Sequence, residues 1–199
     1  MDNGHGPETR DPKPEIRTHI KNNSKATLTT QKVPYRRTYH WYALYTKPRW
    51  EKKVQRELEL QGYTHYLPLV TRLKQWSDRK KKVEEPLIKS YIFVKVSEKE
   101  YYDVLQIDGA MKYITFEGKA APIPEWQIEA VRKTVNNHLP FELTGEKLEP
   151  GEHVKIKEGE LKGLEGEIIN IRGKNRLVIR IESVGYSLIV EMEADNLLK

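Results

Sequence analysis

The sequence predicts an α+β fold, an antiparallel sheet flanked by helices and followed by a small β-barrel. Three observations carry this expectation. Between residues 40 and 137, aromatic and β-branched runs with a period near two are interleaved with three stretches of helical period. From Gly151 the helical period disappears, and glycines at 151, 159, 163, 166 and 173 punctuate short alternating apolar runs. Between the two regions, residues 138–150 hold two prolines and no period, which sets an interdomain linker over 138–148.

Residues 1–38 contain no Trp or Phe and hold prolines at 7, 12, 14 and 34, with many Asn, Thr and Lys. So little apolar surface cannot offset chain entropy, and a disordered polar arm is expected. Its Arg36 and Arg37 adjoin the folded region. Order is expected to begin in the aromatic strand His40-Trp41-Tyr42-Ala43-Leu44-Tyr45, opening a first domain over 39–137. Pro48 suits the first turn of a helix, whose buried stripe would be Trp50, Val54 and Leu58 and whose end is Gly62. Arg49, Lys52, Lys53 and Arg56 follow i, i+3, i+4, i+7 and gather on another face. A basic helical stripe is a footprint of nucleic-acid contact, and it equally fits a solvated face.

Strands are expected near 63–73 and 83–96, joined by a hairpin tip over Gln75–Lys82. Ser97 with Glu100 reads as a capping box, opening a short helix with Tyr101, Val104 and Leu105 on one face, ending before Gly109. A strand over Met111–Phe116 follows, then a helix started by Pro124 with Ile128, Val131 and Val135 as its stripe. In the second domain, 149–199, the pairs Val154/Ile156 and Ile169/Ile171 alternate, as do Leu177/Ile179/Ile181 and Leu188/Val190/Met192. Roughly fifty residues suit a five-stranded barrel, near the smallest unit that folds without metal or disulfide.

Composition narrows the function. The 199 residues allow two small domains, and the absence of cysteine excludes disulfides and thiolate metal sites. No apolar run approaches a membrane span, and the polar start lacks the apolar core of a secretory signal, so a cytoplasmic protein is expected. Net charge is +6, but residues 36–82 hold thirteen Lys or Arg against four acids, whereas residues 146–199 hold nine against eleven. The first half should attract phosphate backbones and the second should not. The six histidines are scattered, and no nucleophile elbow, phosphate loop or dinucleotide fingerprint occurs, so neither catalysis nor a cofactor is expected.

Two motifs carry a resemblance. Gly151-x-x-Val154-x-Ile156 followed by Gly159-x-Leu161-x-Gly163-Leu164-x-Gly166 resembles the KOW module, the small SH3-like barrel of transcription elongation factors and ribosomal proteins. Trp41-Tyr42-Ala43-Leu44-Tyr45 with the basic helix, then Pro86-Leu87-Ile88-Lys89-Ser90-Tyr91-Ile92-Phe93-Val94, resembles the N-terminal (NGN) domain of NusG. Leu73–Lys80 and Tyr91–Val94 look most like the specialised UpxY-type paralogues that govern capsule-polysaccharide operons in Bacteroides-type bacteria.

The resemblance implies a transcription elongation and antitermination factor, operon-specific and monomeric. Its first domain would dock on the clamp helices of the largest RNA polymerase subunit and suppress pausing. Tyr45, Ile88, Tyr91 and Phe93 would form the docking patch. Strand alternation puts Tyr91 and Phe93 on one face and Ile92 and Val94 on the other, without telling which face is core. Lys47, Arg49, Lys53 and Arg56 would face non-template DNA in the elongation complex, with Arg79 and Lys80 of the hairpin as further contacts. The loop Val184-Gly185-Tyr186 would recruit a small-subunit ribosomal protein or Rho. Two other readings stand beside this one: a housekeeping NusG, and a ribosome-associated RNA-binding protein using its KOW module. The second would require tight RNA binding by the net acidic residues 146–199.

Overall fold

In a computed structural model, residues 38–76, 78–158, 162–171 and 173–191 are described. The arm to Arg37, Gly159 and Leu161 of the glycine motif, and Met192 of the last alternating run lie outside them.

The chain begins with β1 (His40–Thr46), α1 (Glu51–Leu60), β2 (Thr64–Tyr66), the hairpin β3 (Leu69–Gln75) and β4 (Lys80–Pro86), and β5 (Tyr91–Val96). Then come α2 (Tyr101–Val104), β6 (Ala110–Tyr113), the small ladder β7 (Thr115–Phe116) and β8 (Lys119–Ala120), and α3 (Glu125–Asn136). The first sheet runs β2-β5-β1-β6 and is antiparallel throughout. Its centre, β1 against β5, pairs Ala43 with Phe93, Leu44 with Ile92 and Tyr45 with Tyr91. Partners directly opposite share a face, so Leu44, Ile92, Val94 and Val96 line one side, and Trp41, Ala43, Tyr45, Tyr91 and Phe93 the other.

The first face packs on α1 and α2, where Val54, Leu58 and Val104 are fully buried. The second joins Ile128, Val131 and Val135 of α3 in an apolar cluster that runs on into the C-terminal strands. Those strands are β9 (Phe141–Thr144), β10 (Glu152–Lys155), β11 (Glu165–Ile171), β12 (Lys174–Ile181) and β13 (Tyr186–Val190), in the order β10-β11-β12-β13-β9. Leu177, Ile179, Ile181, Leu188 and Val190 turn inward as alternation predicts, and α3 lies against β11 and β12.

Several expectations are corrected. The stretch read as a linker is partly sheet: Phe141–Thr144 pairs with β13 through Leu143 and Leu188. Beyond it, the Arg180 guanidinium donates to the carbonyls of Leu148 at 3.0 Å and Glu149 at 2.5 Å and pairs with Glu167 at 2.8 Å. Helix α1 starts at Glu51 rather than at Pro48, because Pro48 sits in a turn where Arg49 takes a φ of 66°. Its first helical bond runs from the Val54 N–H to Trp50. The hairpin tip is tighter than expected, closed by the Trp76 N–H on the Arg79 carbonyl at 2.8 Å. The strand expected over 111–116 is split at Ile114, whose N–H donates to Ala43 while its carbonyl accepts from Ala121. The capping box forms in part, with Glu100 accepting from both the Ser97 N–H at 2.9 Å and the Ser97 hydroxyl at 2.7 Å.

Candidate functional site

The aromatic patch is built at the junction of β1 and β5. The rings of Tyr45 and Tyr91 meet edge to face at 5.4 Å, and Phe93 stacks on Tyr66 at 6.5 Å. Ile88, in the turn before β5, belongs to the same cluster as Phe93. The four residues singled out in the sequence are therefore brought together, at different depths. Ile88 and Phe93 are buried, at 3 % and 1 % exposure, while Tyr45 and Tyr91 are half-buried.

One carboxylate fixes the edge of this patch. Glu51, at the start of α1 and itself buried, accepts the Ser90 N–H at 2.7 Å. Ser90 holds a φ of 63°, an uncommon conformation for a residue with a side chain, and its carbonyl accepts from Thr46. Helix and patch strand are thus tied at the residue that precedes Tyr91.

The patch face does not meet solvent alone. Val184 and Tyr186 pack against the same cluster as Tyr91. Burial raises the Tyr91 hydroxyl pKa, with further contributions from Tyr45 and Tyr186. Alternation could not decide which face of the sheet was core, and both are covered: one by α1 and α2, the other by α3 and the C-terminal strands. Trp126 of α3 meets His153 of β10 edge to face at 5.4 Å, and two turns on Lys133 donates to the Lys162 carbonyl at 3.3 Å. Val184 closes a short 3-10 turn, Gly185 takes a left-handed φ of 68°, and Tyr186 opens β13. Sequence reading missed Trp126 and Lys133, because their partners, His153 and Lys162, lie far along the chain and leave no local signal.

The basic stripe is exposed but partly neutralised. Lys47 and Lys53 converge on Asp108, at 3.3 and 3.1 Å, and Lys52 pairs with Glu84 at 3.0 Å. Hydrogen bonds from Lys53, then Lys47, hold the Asp108 carboxyl below its ordinary pKa. The Lys53 and Lys47 ammonium groups also sit 3.8 and 4.9 Å from the Trp50 ring centroid. Trp50 is half-buried rather than core, and it packs where Gly109 leaves room, since a Cβ there would lie 2.6 Å from the indole. Arg49 and Arg56 are exposed and form no ion pair among the described residues. Arg79 and Lys80 stand apart from this stripe on the hairpin, likewise exposed.

Among the described residues there is no group of three or more His, Asp or Glu able to hold a metal, and no helix long and apolar enough to cross a membrane. Residues 39–132 match a family model described as "Transcription termination factor nusG". Among solved structures, the chain is similar to that described as "Domain interaction in Thermotoga maritima NusG", at 18 % identity, covering 80 % of this chain and 96 % of that one, with a TM-score of 0.40. It is also similar to a chain of the MjSpt4:Spt5 complex, conformation A, at 15 % identity, covering 76 % and 99 %, with a TM-score of 0.27. For conformation B the values are 16 %, 77 %, 99 % and 0.26.

Proposed function

We propose, from the match of residues 39–132 to the NusG family model, that the chain is an operon-specific elongation and antitermination factor. The single observation that carries the reading is the family match over the domain that bears the Tyr45–Tyr91 patch. The patch docks on the clamp helices of the largest RNA polymerase subunit. Paired aromatics suit that task because each offers a large rigid area with few rotors to order. Arg49 and Arg56, with Lys47 and Lys53 beside them, then face the non-template strand and add a salt-dependent hold through phosphate contacts.

The C-terminal sheet, read as a KOW module, recruits a second partner through Val184, Gly185 and Tyr186. Burial of Tyr91 beside Tyr186 adds a condition to both contacts. The loop that would recruit the second partner packs on the cluster beneath the polymerase patch, so each surface covers the other. The described conformation is then a resting one, and movement of the C-terminal sheet exposes the two surfaces together.

The test is binding of the full chain to isolated clamp helices, comparing wild type with the Tyr45→Ser, Tyr91→Ser double variant. Both side chains are half-buried, so this variant should stay folded, whereas truncating Phe93 costs about 3–5 kcal/mol of core packing. Loss of binding in a folded variant supports the reading, and unchanged affinity rejects the patch. Mapping of the protein across the genome of its host tests the operon-specific part: occupancy of every transcribed gene would make it a general factor.

A further inference from the structure

A cleft of about 760 Å³ lies between the base of the β3–β4 hairpin and the end of α3. One wall is β3. Four consecutive residues, Leu69 to Arg72, line the cleft, and neighbours in a strand point to opposite faces, so the cleft follows the strand's edge. That edge is open, since among the described strands β3 pairs with β4 alone. The other wall is the segment from Val135 to Phe141, where His138 takes a left-handed φ of 53° and turns the chain out of α3. Leu67, Leu87, Val135 and Leu139 give the cleft buried apolar sides. Its polar groups are unevenly satisfied. Glu84, the carboxylate on the cleft, is held by Lys52 at 3.0 Å. Arg72 is exposed and forms no ion pair among the described residues, and Glu85, whose carboxyl feels its charge, is already paired with Lys74. The Tyr66 hydroxyl is buried without a partner.

A buried hydroxyl left unpaired costs free energy, and a guanidinium without a carboxylate leaves a fork of donors unanswered. Apolar clefts of this size with a few convergent polar groups hold small molecules. We propose that this cleft binds a small organic carboxylate. The apolar body lies between β3 and the segment that leaves α3. The carboxylate accepts from the Arg72 guanidinium, whose planar fork matches its two oxygens, and from the Tyr66 hydroxyl. An organic cation would meet no free carboxylate here, because Glu84 is taken, and a neutral molecule would leave Arg72 unanswered. The proposal does not depend on the polymerase reading, since no residue of the cleft belongs to the aromatic patch or to the basic stripe.

The experiment uses the full chain without polymerase and takes naphthoate as the probe, with naphthamide as its uncharged counterpart and naphthylmethylammonium as its cationic one. Amide shifts in two-dimensional NMR should concentrate at residues 69–72 and 135–141 and saturate with a Kd of about millimolar or tighter, the range for a ligand of about thirteen non-hydrogen atoms. Arg72→Gln should weaken naphthoate about 10- to 150-fold, the range of a hydrogen bond to a charged group, and bring it level with naphthamide. Tyr66→Phe should weaken it without lowering the melting temperature, because the hydroxyl it removes has no partner to lose. Thr71→Trp, on an exposed residue of the strand wall, should block the cleft. Lys119→Gln, which removes an exposed cation of β8 outside the cleft, should leave binding unchanged. Absence of saturable shifts, shifts confined to another face, equal affinity for naphthoate and naphthamide, tighter binding of the ammonium, or full affinity in Arg72→Gln would each overturn the proposal. Full affinity in Tyr66→Phe would overturn the assignment of the hydroxyl.

Discussion

Trp126→Ala is expected to loosen the C-terminal sheet from α3 while leaving both larger sheets folded. The indole meets the His153 ring edge to face at 5.4 Å and 87°. It lies outside the buried stripe of Ile128, Val131 and Val135, so its loss leaves the core of the first domain intact. An edge-to-face aromatic pair contributes about 0.5–1.5 kcal/mol beyond its area burial. Trp126 is half-buried, and the area lost adds about 1 kcal/mol at about 25 cal/mol per Å². A total of about 1.5–2.5 kcal/mol raises the ratio of open to closed forms about 10- to 60-fold. Apparent affinity scales with the fraction of chain in the competent form. Clamp helices should therefore bind the variant more tightly by up to that factor. Titration of isolated clamp helices reads the effect, with circular dichroism as the folding control and small-angle scattering to report expansion. A folded, expanded variant with wild-type affinity would refute the idea that the C-terminal sheet obstructs docking.

Asp108→Asn removes the carboxylate that Lys47 and Lys53 share, so the hold on elongation complexes should strengthen and its salt slope should steepen by up to about 2; an unchanged slope would mean these lysines do not face DNA. Glu167 supplies a pH test. Burial works to raise its pKa, but the Arg180 guanidinium and the Gly151 N–H together hold it below the ordinary 4.5. A depressed folded pKa contributes stability above about pH 4.5 that is lost as pH falls through the folded value. The acid-side fall in melting temperature should therefore be shallower in Glu167→Gln, and an identical profile would refute the assignment. Gly109→Ala forces a Cβ to 2.6 Å from the Trp50 indole at a φ of 96°, which should destabilise the first domain by about 1–3 kcal/mol in chemical denaturation; a neutral result would show that Trp50 moves freely.

The elements legible in the sequence are those whose signals are local. Alternation located β1, β5, β12 and β13, and the four-residue recurrence of Val54 and Leu58 located α1. The patch was legible as a set of residue types, since Tyr45 and Tyr91 prove to be direct partners in the ladder. Its depth was not, because period two defines two faces without telling what covers each. The strand Phe141–Thr144 was lost between Pro140 and Gly145, where four residues are too few for a period to stand out, and its partner, β13, lies more than forty positions away. The neutralisation of Lys47 and Lys53 was equally hidden, since Asp108 is 61 and 55 residues distant and only the fold brings it near.

Placing β9 within the C-terminal sheet shortens the tether. Helix α3 ends at Asn136 and β9 begins at Phe141, so only residues 137–140 join α3 to the C-terminal sheet. Fully extended they reach about 14 Å, at about 3.5 Å per residue. The Leu139 N–H is moreover bonded back to Thr134 and the side chain is buried, which shortens the usable reach further. So short a link keeps the C-terminal sheet close to the end of α3 in any arrangement of the chain that leaves β9 paired. If the first sheet docks on polymerase and the Val184–Tyr186 loop holds a second partner, as proposed above, that partner would be confined to the nearby polymerase surface unless β9 peels away from β13. Strand peeling would then set the leash length between the two partners, and the pairing of Leu143 with Leu188 is the contact that governs it.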